Sequence, residues 1–124
     1  MQKERRQTLR YPTELEIDVI LPYGSLLSVT TLDISVNSLQ FKCDIEIANK
    51  IEPRGLQNYS LDRQQFKIVA PLPIANKPKL YASCAVIAAR RLSQEEYILS
   101  IEFVDFENSS EKALRDYIKQ LHHE

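Results

Sequence analysis

The sequence predicts a mainly β domain: six antiparallel strands in a small barrel or sandwich, with one terminal α-helix lying across it. Three observations predict this. Apolar and polar residues alternate through much of residues 14–106, the period of a strand with one buried face. Short stretches rich in Pro, Asn, Gly and Ser separate the alternating segments and supply turns. After residue 108 the period becomes helical, with Ala113, Leu114, Tyr117, Ile118 and Leu121 on one stripe.

Each element follows from its residues. Leu15, Ile17, Val19 and Leu21 alternate with Glu14, Glu16, Asp18 and Ile20 to make the first strand. Pro22, with its fixed φ, and Gly24, which tolerates positive φ, then turn the chain. The second strand runs through Leu27, Val29 and Thr31 and ends near Leu32. The third has the cleanest alternation, with Leu39, Phe41, Cys43, Ile45 and Ile47 set against Gln40, Lys42, Asp44 and Glu46. From Ala48 to Arg63 the pattern fails, and Pro53, Gly55, Asn58 and Ser60 mark irregular chain. Alternation returns with Phe66, Ile68, Ala70, Leu72 and Ile74, and Pro71 and Pro73 put the end of this strand at a sheet edge. Residues 80–92 are apolar on both sides, so this strand belongs where both faces are covered, with a helix close against its small residues. Tyr97, Leu99, Ile101 and Phe103 form the last strand. Asn108 or Ser109 caps the helix, Glu111 suits its dipole, and His122 and His123 read as a frayed last turn.

Composition narrows the function. At 124 residues the chain is one domain by size. No run approaches the roughly 18 apolar residues of a spanning helix, so no membrane partner is expected. The charged N-terminus lacks the apolar core of a signal peptide. Cys43 and Cys84 have no paired spacing and fit small core hydrophobes in a reducing, cytoplasmic setting. With histidines only at 122 and 123 and glycines only at 24 and 55, the chain offers no catalytic triad, zinc spacing or phosphate-cradling glycine loop. No catalytic residue, metal site or cofactor is expected.

Charge is unevenly placed. Four Lys/Arg against one Glu give the first ten residues +3, which leaves −4 on the remainder of a chain with net charge −1. By itself such a terminus is an ordinary solvated tail. Here Arg6 and Arg10 stand four apart as R-x-x-x-R with Arg5 beside them, and Tyr11-Pro12 forces extended backbone next. Twenty-three residues past Arg10 comes Asp33-Ile34-Ser35, at a strand end. A guanidinium fork fits phosphate oxygens or guanine O6 and N7, and it can stack on a purine. Asp33 can accept from a guanine amino group, and Ser35 can donate or accept one further bond. These groups match a small, twice-phosphorylated guanine ligand.

The combination resembles the PilZ domain, the bacterial receptor module for cyclic di-GMP. The resemblance spans nearly the whole chain: Glu4-Arg5-Arg6-x-x-x-Arg10 before the first strand, Asp33-Ile34-Ser35 before the third, and Ile101-Glu102-Phe103-Val104-Asp105-Phe106 before the terminal helix. It implies a six-stranded antiparallel PilZ-type β-barrel with a C-terminal helix across one opening. The limits expected are 1–13 for a flexible arginine arm, 14–106 for the barrel and 108–122 for the helix. It further implies a non-catalytic cyclic di-GMP receptor whose ligand is bound by Arg5, Arg6, Arg10, Asp33 and Ser35, and whose arm orders on binding and signals to a protein partner. The chain departs from the family at Ser38, where the second motif, D/N-x-S-x-x-G, usually ends in glycine. A serine there costs on the order of 1 kcal/mol if the backbone must take positive φ. One alternative is a PilZ-like adaptor that works through protein contacts without nucleotide. Another is a small β-barrel that binds single-stranded nucleic acid, which the acidic body and the buried registers of Phe41, Phe66 and Phe103 oppose.

Overall fold

Burial alternates along the strands as their period requires, and the strand pairings close the sheet into a ring. The computed structural model describes residues 9–53 and 63–123. The elements are β1 (Tyr11–Pro12), β2 (Glu16–Ile20), β3 (Leu26–Ile34), β4 (Ser38–Asp44), α1 (Ile45–Ile51), β5 (Gln65–Pro71), β6 (Lys79–Arg91), β7 (Glu96–Phe106) and α2 (Ser110–His122). Around the barrel the order is β3-β2-β5-β6-β7-β4, and β4 pairs back onto β3 to close it. All of these pairings are antiparallel. The fold is therefore the six-stranded antiparallel barrel with a C-terminal helix that the sequence predicts, and closure removes the open edges of a sheet.

Inward-facing residues fill the interior: Ile17, Phe41, Ile68, Leu80, Leu99 and Ile101 are all essentially inaccessible. The two helices close opposite ends, because α1 follows β4, α2 follows β7, and those strands run antiparallel. Ala48 and Ile51 of α1 are buried, as are Ala113, Leu114 and Tyr117 of α2.

Several expectations need correction. The third predicted strand does not reach Ile47. It ends at Asp44, whose carboxylate accepts the Ile47 N–H at 2.8 Å and caps α1. An N-cap that satisfies an orphan helical donor outweighs two further residues of apparent alternation. Residues 80–92 are covered on both faces only in their first half. From Ile87, which is 46% exposed, the outer side faces solvent. The covered half is where Tyr81 donates its N–H to Ser110 Oγ of α2 at 2.8 Å. The end of β5 does lie at an open edge as expected, since Pro71 opposes Lys79 of β6 but stands beyond the last β2–β5 pair at Asp18 and Val69. Barrel hydrogen bonding starts inside the stretch assigned to the arm, since Tyr11 and Pro12 pair with Ile34 and Asp33 and Thr13 donates its N–H to Leu32 O at 3.1 Å. Finally, His122 is tied down, its Nδ1 sharing a 2.9 Å hydrogen bond with the Tyr11 hydroxyl.

Candidate functional site

The β3–β4 connection is built by one buried serine. Ser35 Oγ accepts the N–H groups of Asn37 and Ser38, both at 3.1 Å, and it donates to Ser38 O at 3.2 Å. Ser35 N–H closes the turn onto Ser38 O at 2.8 Å. Asn37 O accepts from Phe103 N–H at 2.9 Å, which fixes the turn to β7. Positive φ occurs at Gly24, Asn76, Lys77 and Asn108 among the described residues, but at neither Asn37 nor Ser38. The serine at the end of this motif therefore carries no left-handed strain.

A register shift between Thr31 and Asp33 puts a β-bulge into β3 just before this turn. Bulges of this kind re-aim the side chains that follow them. Thr31 anchors the crossing segment by donating its hydroxyl to Thr13 O at 2.6 Å and accepting Leu15 N–H at 2.9 Å. The β1 pairing then delivers Arg10 to Asp33. Arg10 Nε and Nη2 both donate to Asp33 Oδ1, at 3.0 and 2.7 Å, and Nη1 donates to Ser38 Oγ at 2.8 Å. Arg10 thus uses only one oxygen of this carboxylate, Oδ1. With side-chain exposures of 33% and 23%, the pair is partly screened and adds at most about 1 kcal/mol to stability.

One strand further round the barrel, Ser38 opposes Glu102 of β7. Arg63 Nη2 donates to Glu102 Oε2 at 3.1 Å, and its Nη1 donates to Val86 O at 3.2 Å. The two buried thiols stand outside this chemistry. Burial, and then Asp44, push Cys43 up to about 12, and burial followed by Glu102 raises Cys84. Among the described residues no group of three or more His, Cys, Asp or Glu could hold a metal. No described helix is long and apolar enough to cross a membrane.

No protein-family model matches the chain, and no curated protein matches it. Solved structures do. The inhibitor of motility MotI/DgrA of Bacillus subtilis superposes with a TM-score of 0.65 at 14% identity, over 97% of this chain and 53% of its own. The PilZ domain of YcgR from Escherichia coli, solved with c-di-GMP, gives 0.62 at 14% identity over 96% of this chain and 92% of its own. PlzA of Borreliella burgdorferi, in complex with c-di-GMP, gives 0.59 at 12% identity over 94% and 54%. The fold is that of a PilZ domain. The chain spans about half the length of MotI/DgrA and of PlzA, and nearly all of the YcgR domain.

On this PilZ barrel, the site residues expected from sequence fall into three groups. Arg10 and Asp33 are brought together as an ion pair. Ser35 is fully buried with its hydroxyl spent on the turn, so its visible work is to shape the site. Arg5 and Arg6 lie outside the described residues. Sequence reasoning missed Ser38 as an arginine partner and missed the pairing of Arg63 with Glu102. Arg63 follows an aperiodic stretch, and only the strand register brings Glu102 next to Ser38.

Proposed function

We propose that this chain is a non-catalytic receptor for cyclic di-GMP that binds the dinucleotide on the outer face of the barrel beside Arg10 and Asp33. The observation that carries this reading is the meeting of the two motifs: the last arginine of R-x-x-x-R lies hydrogen-bonded to the aspartate of D-x-S, on a PilZ fold. Two of the similar PilZ-fold structures were solved with c-di-GMP, which supports the choice of ligand. The chemistry is suited to it. Arg10 offers a planar donor fork to a phosphate or a guanine edge, and Asp33 Oδ2 can accept a guanine amino group. Arg5 and Arg6, preceding Arg10 on the arm, supply further cations that close over the ligand, and the altered surface is read by a protein partner.

A second reading is an adaptor that acts without nucleotide. It is favoured by Ser38, whose hydroxyl already holds Arg10 Nη1. Calorimetry with cyclic di-GMP on the parent, Arg6→Ala and Arg10→Ala distinguishes the two. The receptor reading expects saturable binding that weakens about tenfold or more in each variant, as the loss of charge-assisted bonds requires. Equal affinity in all three removes these arginines from the site, and an inert parent leaves the adaptor.

A further inference from the structure

We propose that Arg63, held by Glu102, is a second cationic anchor on the ligand face, set across β4 from Arg10. This assignment rests on the cyclic di-GMP reading and adds to it a residue outside both motifs. Its first support is the register. Ser38 and Glu102 are directly opposed in the β4–β7 ladder, and opposed residues in an antiparallel pair share a face. Ser38 Oγ accepts from Arg10 at 2.8 Å, while Glu102 Oε2 accepts from Arg63 at 3.1 Å. Two guanidinium groups therefore flank a single cross-strand step.

The second support is the floor between them. Gln65 opposes Ala85, Ala85 opposes Glu102, and Glu102 opposes Ser38, which makes one continuous row across four strands. Ala85 is the smallest side chain of that row. It is buried, at 2% exposure, and the Arg63 fork reaches the neighbouring Val86 O as well as Glu102. Charges along this side then run plus at Arg10, minus at Asp33, minus at Glu102 and plus at Arg63. A cyclic dinucleotide carries two phosphodiesters, and two separated arginines can serve one each.

Energetics separate this role from a merely structural one. Arg63 and Glu102 have side-chain exposures of 35% and 39%, and a pair so exposed adds little to folding. For an arriving phosphate, though, Glu102 matters in the opposite sense to Arg63, because it repels the anion and occupies the cation. Removing the cation should weaken binding, whereas removing the carboxylate should not.

Calorimetry with cyclic di-GMP on the parent, Arg63→Gln and Glu102→Gln, with thermal midpoints for all three, tests this. The expected result is about fivefold weaker binding in Arg63→Gln, binding at least as tight as the parent in Glu102→Gln, and similar midpoints throughout. The assignment is overturned if Arg63→Gln binds like the parent, or if both variants weaken in parallel. Parent binding that survives Arg63→Gln removes Arg63 alone, whereas a parent that takes up no cyclic di-GMP removes the receptor reading and this anchor with it.

Discussion

Ser35 and Arg10 carry opposite kinds of weight at the residue scale. Ser35 is buried and satisfies two backbone N–H groups, so Ser35→Ala leaves both without their acceptor. The expected cost is about 1–3 kcal/mol of folding stability, read by urea denaturation. Arg10 is on the surface, and Arg10→Ala should cost the fold no more than about 1 kcal/mol while ligand affinity drops far more. Titration of the thiols gives a further prediction. Cys43 is raised from 9.0 to about 12 in the folded chain, so its thiol is neutral there when the unfolded chain has begun to ionise. The contribution of this thiol to stability is then fully kept below pH 9 and lost progressively from pH 9 toward about 12, as the unfolded state sheds its proton first. Cys43→Ser should reduce that alkaline slope in denaturation curves measured from pH 8 to 11, leaving the part that the buried Cys84 thiol contributes. The D-x-S motif was legible in the sequence as a candidate site. That its serine faces inward was not, because a hydroxyl that shapes a turn and one that meets a ligand carry the same letter.

Helix ends and clasps decide the behaviour of the elements. Asp44 turns an apparent strand into α1, since Ile45 and Ile47 satisfy a period of two over too short a span to exclude a helix. The cap settles the matter, and Asp44→Ala should destabilise the protein by about 1 kcal/mol. At the other end of the barrel, α2 is fastened to the segment after Arg10. Thr13 Oγ1 and the Tyr117 hydroxyl lie 2.5 Å apart, and Tyr11 meets His122 with its ring edge-on at 5.9 Å. Tyr117→Phe should therefore cost about 0.5–1.5 kcal/mol by thermal or chemical melting. The helical stripe of α2 was plain from its apolar spacing. Its clasp onto β1 was invisible, because it joins residues more than a hundred positions apart.

Over the whole molecule, the alternating strands made a small β domain legible, and the two motifs pointed to one place on it. Barrel closure came from β4 pairing with β7 as well as with its chain neighbour β3, and the β4–β7 pairing is a long-range arrangement that no local pattern encodes. The same pairing sets Ser38 beside Glu102 and so extends the candidate site past the motifs that announced it. On the proposed reading, cyclic di-GMP binds the outer face where β3, β4 and β7 meet. Amide chemical shifts of the labelled chain, followed as cyclic di-GMP is added, test that location directly. The expected result is saturable shifts concentrated at Arg10, residues 33–40 and residues 100–103, with the β2–β3 hairpin at residues 22–25 unmoved. Shifts centred on that hairpin or on α1, with residues 33–38 silent, would contradict it.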